Sequence, residues 1–297
     1  MQHHHHPRLD STKPIFIAFI SNLAFSIVEL IFGTMFNSSA IVADSVHDFG
    51  DALAIGLSYY FERFSKKESD GDYTLGYLRF SLLGAMLTSV ILILGSLFVV
   101  VDNIGKLAHP EPVNYNGMLI LGIVAIIVNS LASRVLDGEH SEQESILSLH
   151  FLEDTLGWFA VIVVSIILRF TDWYILDPLL SLAIAIFILY KALPKFVTNL
   201  QVFLEKRPES LAIEPLKQEL LAIDGLKRIN QLNVWSIDGR HHIAMVHIQC
   251  DEKAEVDLIR DQVHHLLETH QIIESAVECD RSRFEHRHHC HQTKKTT

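Results

Sequence analysis

The chain has 297 residues, 24 Lys plus Arg against 35 Asp plus Glu, a net charge of −11 and 49% hydrophobic residues. A mean hydropathy of +0.26 is high for a water-soluble protein of this length and is expected when about two thirds of a chain sits in a membrane. The acidic balance, with no basic patch, gives no electrostatic ground for nucleic-acid binding, and cations are the expected partners.

The N-terminal tail, residues 1–12, opens Met1-Gln2-His3-His4-His5-His6. It reads either as a metal collector or as an added tag, and four histidines favour the first, since added tags usually carry six. Six apolar runs follow: Ile15 to Met35, Ile41 to Phe64, Phe80 to Val101, Gly117 to Leu136, Ile146 to Phe170 and Ile175 to Leu193. Each is close to the ~20 residues a helix needs to cross a bilayer. The first run is too long for a signal h-region and lacks a small-residue cleavage site, so it is expected to stay in the membrane. Together the runs predict a six-helix transport domain over residues 13–204.

Within the first run Glu29 is a lone acid among Phe25, Val28, Leu30 and Phe32. Ionisable groups at membrane depth are expensive and usually mark an ion or proton path. Glu29 is therefore a candidate pathway residue, or else an acid satisfied by a neighbour such as Asn22 or Asn129. The second run carries Asp44, His47 and Asp51 on one helical stripe, with Asp48 beside it. Asp44 and Asp48 suit a supporting or pathway role, Asp44 by orienting His47.

The fifth run repeats the pattern. His47 and Asp51 are four residues apart, as are His150 and Asp154, so each pair lies on one helix face. Two such helices facing each other offer two imidazoles and two carboxylates to one point, a set that suits tetrahedral Zn²⁺. The rival reading, a ladder of salt bridges between helices, does not explain why the same pair recurs.

An even number of spans places both termini on one side. The loops there carry Arg63, Lys66, Lys67, Arg79 and Arg134, against Lys106 and Arg169 opposite. The excess of positive charge marks the cytoplasmic side, so both termini are expected in the cytoplasm, with the bacterial inner membrane as the expected location.

After the last span, residues 205–283 read as helix 211–223, strand 229–237, the Asp238-Gly239 turn, strand 243–250, helix 255–270 and strand 275–280. Asp-Gly between alternating segments is a strong hairpin signal, and this α-β-β-α-β order suits a small ferredoxin-like α+β domain. Three cysteines, Cys250, Cys279 and Cys290, all follow the last span, where a cytoplasmic setting predicts thiols rather than disulfides. The tail, residues 284–297, clusters His286, His288, His289, Cys290 and His291, soft donors without fixed geometry that suit local buffering of Zn²⁺, Ni²⁺ or Cu⁺.

Several stretches together resemble the cation diffusion facilitator family, in particular its zinc-transporting branch. They are Asn22 to Glu29, Asn37 to Asp51, Tyr73 to Arg79, Asn129, His150 to Gly157, Asp177-Pro178 and Val234-Trp235-Ser236. The resemblance implies six spans plus a cytoplasmic ferredoxin-like domain, a homodimer, and exchange of cytoplasmic Zn²⁺ for external H⁺. It places the transported ion on His47, Asp51, His150 and Asp154. Where the family's manganese branch has aspartates, this chain has His47 and His150, which favours Zn²⁺ on ligand softness.

Some positions depart from the pattern. Asn233 stands where many zinc-type members have a histidine, and the strand Glu274 to Asp280 lacks the usual His and Gln. Of that cytoplasmic binuclear site only His247 is retained. Leu75 and Ser81 likewise replace a histidine and a glutamate seen in other members.

The leading expectation is a secondary transporter that exports Zn(II) in exchange for protons, with no organic cofactor. The alternative is a membrane zinc sensor or scaffold that binds metal through the cytoplasmic domain and tail. An enzyme is not expected, since no His-Glu-x-x-His occurs and four protein ligands leave no open position for a catalytic water.

Overall fold

The computed structural model describes residues 12–136, 142–251 and 254–280. The chain divides into two units, residues 1–61 with 84–196 and residues 62–83 with 197–297.

Six long helices occur where the apolar runs predict them: α1 (Thr12–Met35), α2 (Ser39–Ser65), α3 (Arg79–Ala108), α4 (Tyr115–Leu136), α5 (Glu142–Phe170) and α6 (Leu176–Phe203). Two run well past the C-terminal ends of their apolar segments. α3 continues past Val101 to Ala108, and α6 passes through Pro194 to Phe203, because a helix ends where its backbone pairing ends and not where hydropathy falls. α3 and α6 are long and apolar enough to cross a membrane.

The first unit is built around Trp158, which is fully buried among Ile41, Met118, Leu121 and Val161 and meets Phe25 edge to face at 6.3 Å. Its outer faces are apolar as well: Ile31, Leu94, Phe98, Val101, Ile120, Phe159 and Ile186 are exposed. Apolar area on that scale is what lipid, rather than water, would solvate.

The corner between α1 and α2 fixes where α2 begins. Asn37 adopts φ 55°, Asn37 N–H donates to Thr34 O (3.2 Å) and Ser38 N–H to Gly33 O (2.9 Å), which is a Schellman stop. Asp177 at the start of α6 then accepts from Ser38 Oγ (2.6 Å), Ser39 N–H (2.6 Å) and Ala40 N–H (3.4 Å), while Ile41 N–H donates to Ser38 Oγ (3.3 Å). All four orphan donors of α2's first turn are therefore satisfied.

In the second unit, the segment between α2 and α3 closes on itself. Asp70 accepts from Tyr77 Oη (2.5 Å), Lys67 Nζ (3.0 Å) and the N–H groups of Tyr73 and Asp72. Those hydrogen bonds, led by that from Tyr77, hold the Asp70 carboxyl well below the usual range. The rings of Phe64, Tyr73, Tyr77 and Phe80 stack around it.

The C-terminal segment runs α7 (Ile213–Leu221), β1 (Leu226–Ser236), β2 (His242–Cys250), α8 (Val256–Thr269) and β3 (Ile272–Asp280), the expected α-β-β-α-β order. The sheet order is β1-β2-β3, with β1 antiparallel and β3 parallel to β2. Leu216, Leu220, Val246, Ile248, Val263 and Leu267 form its core. β1 starts three residues earlier than its alternation suggests, because register shifts at Leu226/Arg228 and Ile229/Gln231 break the period of two that marks a strand in sequence.

Candidate metal site

Helix α2 places Asp44, His47, Asp48 and Asp51 along its length, and α5 places Asp154 against them. His47 Nδ1 is 3.5 Å from Asp51 Oδ2, and its Nε2 is 3.9 Å from Asp154 Oδ1. The three side chains are mostly enclosed, at 17%, 22% and 9% exposure. One imidazole thus sits between a carboxylate of its own helix and one of the facing helix.

The two carboxylates meet opposite nitrogens of that ring. Ligand atoms on one tetrahedral ion lie roughly 3.3 Å apart and each residue offers a single donor atom, so a shared ion requires rotation of the ring or of Asp51. His150 lies on α5 one turn before Asp154; its side chain is outside the described residues. Three of the four expected ligands are thus brought together.

More acid surrounds this trio. Asp44 (5% exposed) and Asp48 (8%) are buried, and a methyl group built on Gly157 of α5 would touch Asp44 Oδ1 at 3.8 Å. That ordinary contact distance sets Asp44 Oδ1 beside α5. Glu29 of α1 is fully buried and feels the charges of Asp48, Asp44 and Asp154. Asn129 on α4 is buried and its Nδ2 has no hydrogen-bond partner among the described residues, while Asn22 is half-buried. Among the described residues neither carboxylate oxygen of Glu29 has a hydrogen-bond partner.

A second cluster lies in the C-terminal segment, and sequence reasoning found only one member of it. His247 Nδ1 is 3.6 Å from Glu278 Oε2 and 3.5 Å from Asp280 Oδ1. One donor atom from each of the three fits within 4.8 Å of the others. Asn230 Nδ2 donates to Asp280 Oδ2 (2.6 Å) and orients that carboxylate.

Gln231, opposite His247 in the β1–β2 register, has a buried Oε1 without a hydrogen-bond partner among the described residues. The sequence retains only His247 of the family's cytoplasmic ligands and leaves that site in doubt; the structure sets Glu278 and Asp280 beside His247. Glu278 and Asp280 supply the oxygen donors, and the parallel β2–β3 pairing, with His247 opposite Glu278, brings them together. A spacing of two on a strand puts Glu278 and Asp280 on one face, which was the available signal. Asn233 is not part of the cluster. His286, His288, His289, Cys290 and His291 lie outside the described residues, as do His3 to His6.

The family model for the cation efflux transmembrane domain matches residues 15–204. A "Cadmium, cobalt and zinc/H(+)-K(+) antiporter" of Bacillus subtilis is 27% identical over 286 residues, covering 93% of this chain and 92% of that protein. The "Zinc transporter ZitB" of Pectobacterium atrosepticum is 29% identical, covering 97% and 92%. The "Metal cation efflux system protein CzcD" of Cupriavidus metallidurans is 26% identical, covering 84% and 79%.

Proposed function

From the premise that the chain belongs to the cation efflux family, whose members are membrane transporters and not enzymes, we propose that it exports Zn²⁺ from the cytoplasm in exchange for protons. The observation that carries the proposal is His47 standing between Asp51 and Asp154 across α2 and α5, with His150 one turn before Asp154 on the same helix. These four residues form the proposed His₂Asp₂ transport site, which suits Zn²⁺ and leaves Cd²⁺ and Co²⁺ as side substrates. The names of the relatives, zinc, cadmium and cobalt transporters among them, favour the same ions.

Six long helices and the excess of Arg63, Lys66, Lys67, Arg79 and Arg134 on one side support six spans with both termini cytoplasmic. The proposed division is a transport domain over 13–204, a ferredoxin-like domain over 205–283 and a His/Cys tail over 284–297, assembled as a homodimer in the bacterial inner membrane.

Coupling arises at the ligands. An imidazole must be deprotonated to bind a metal, so Zn²⁺ arriving from the cytoplasm displaces protons, and protons on the far side displace Zn²⁺ when the bundle rocks open there. Asp44, Asp48 and Glu29 line the approach. The test is purified protein in liposomes with an imposed pH gradient. Zn²⁺ should move and H⁺ should counter-move, and both fluxes should vanish in His47→Ala and Asp154→Asn. Zn²⁺ flux indifferent to the gradient and to both substitutions would refute the proposal.

The His247, Glu278 and Asp280 cluster favours a second role beside transport, zinc sensing by the C-terminal domain. His247→Ala separates the two: a pure sensor loses its response entirely, whereas a transporter retains flux.

A further inference from the structure

Cys250 closes β2 and Cys279 is the penultimate residue of β3. The parallel register pairs Ile248 with Cys279, so Cys250, two residues along β2, shares the same face of the sheet. There Cys279 Sγ donates to Cys250 Sγ at 3.0 Å. Both thiols are free and half-buried, packed against the edge of the apolar core that α7 and α8 cover.

Neither the transport site nor the His247 cluster uses these sulfurs. The sheet's alternation turns Cys279 away from its neighbours Glu278 and Asp280. The distance discriminates between ligands. Two thiolates that bind one soft ion at ~2.3 Å each must stand farther apart than this, while a disulfide needs the sulfurs to approach by about 1 Å more.

We propose that Cys250 and Cys279 are a redox modification site, a dithiol that hydrogen peroxide converts reversibly to a disulfide joining β2 to β3. One thiolate attacks a peroxide oxygen, the O–O bond breaks, and hydroxide leaves with the proton released by the thiol. The second sulfur then attacks the sulfenic sulfur; the S–S bond forms, the S–O bond breaks and water departs. Two thiols lose two electrons and two protons, and one peroxide becomes two waters. In the cytoplasmic setting proposed above, reducing thiol buffers hold the pair as the dithiol, and the disulfide records the arrival of oxidant. The chemistry itself does not depend on that placement or on transport.

Trypsin separates the three cysteines, since Cys250 falls on residues 241–253, Cys279 on 261–281 and Cys290 on 288–294. The full chain in detergent is treated with hydrogen peroxide, quenched with N-ethylmaleimide under denaturing conditions, digested and weighed. Peptides 241–253 and 261–281 should appear as a cross-linked pair lacking two hydrogens. Alkylation of both cysteines should fall in parallel, and dithiothreitol should restore it.

The same pair should form in Cys290→Ser. In Cys250→Ser, Cys279 should instead accumulate as a sulfenic acid that dimedone traps. Full alkylation of both residues after peroxide would overturn the proposal. So would a bridge from either residue to Cys290 in place of the Cys250–Cys279 pair, or direct passage to sulfinic acid.

Discussion

Replacing Asp177 with alanine should loosen the start of α2, the helix that carries His47 and Asp51. The carboxylate accepts three hydrogen bonds, from Ser38 Oγ, Ser39 N–H and Ala40 N–H, and all four residues are at most 5% exposed. Alanine leaves two buried backbone donors unsatisfied, at about 1–3 kcal/mol each, and removes a favourable charge from a helix N-terminus, worth roughly 0.3–1 kcal/mol. Relief from burying that carboxylate offsets part of the loss. The net destabilisation is about 2–5 kcal/mol, or roughly 5–15 °C in melting temperature for a domain of this size. Asp177→Asn keeps one carbonyl acceptor and should cost about half. The assay is tryptophan fluorescence during heating in detergent, with Trp158 reporting on the helical core. A melting temperature for Asp177→Ala within about 2 °C of the parent would refute the capping argument.

A methyl group added at Gly50, beside Asp51, would lie 2.1 Å from Leu92 Cδ2 and 2.8 Å from its Cγ. Gly50→Ala should therefore cost about 1–3 kcal/mol and slow Zn²⁺ uptake by proteoliposomes, with Leu92→Ala restoring much of both. In the C-terminal domain, His247→Ala or Asp280→Asn should remove one Zn²⁺ per chain by equilibrium dialysis and leave flux measurable; unchanged stoichiometry would dismiss the His247 cluster as a metal site.

Burial holds the His242 imidazole pKa down, against the raising influence of Asp238 and beside His241. Its stabilising contribution is thus complete above the unfolded value of ~6.5 and is lost as pH falls below it, because the unfolded chain takes up the proton first. Protection factors of β1 and β2 amides, with exchange corrected for its intrinsic slowing as pH falls, should drop between pH 7 and 5, and His242→Phe should flatten that response. Asp70→Asn should open the α2–α3 segment to proteolysis at Lys66 and Lys67, since the carboxylate gathers Tyr77, Lys67 and two backbone donors.

The helices were legible because lipid demands long apolar runs, and the C-terminal order was legible because Asp238-Gly239 marks the hairpin, with Gly239 at φ 93°. The nearness of His47 to Asp51 was legible from the spacing of four, whereas the approach of Asp154 depends on how α5 faces α2. What escaped was set by partners distant in sequence. Asp177 caps a helix that begins 138 residues earlier, and no local pattern announces that. Glu278 and Asp280 read as ordinary exposed acids of an edge strand until parallel pairing sets them beside His247. The nearness of Cys250 and Cys279 likewise follows from register alone.

The acids around His47 bear on how the proposed site would exchange a metal ion for protons. Asp44 feels the charges of Asp154 and Asp51, Asp48 those of Asp44, Asp154 and Asp51, and Glu29 those of Asp48, Asp44 and Asp154. In an enclosed, weakly polar interior such like charges repel strongly, and each must be met by a proton or a cation. Asp51 stands 3.5 Å from one nitrogen of His47 and Asp154 3.9 Å from the other, so one ion reaches both only after the ring or Asp51 turns. A divalent ion entering between α2 and α5 would convert that repulsion into attraction and draw the carboxylates inward. Protons arriving in its place would neutralise the acids one by one without bridging them. Ion and proton therefore favour different separations of the same two helices, which is the physical requirement for a site that exchanges one for the other by moving.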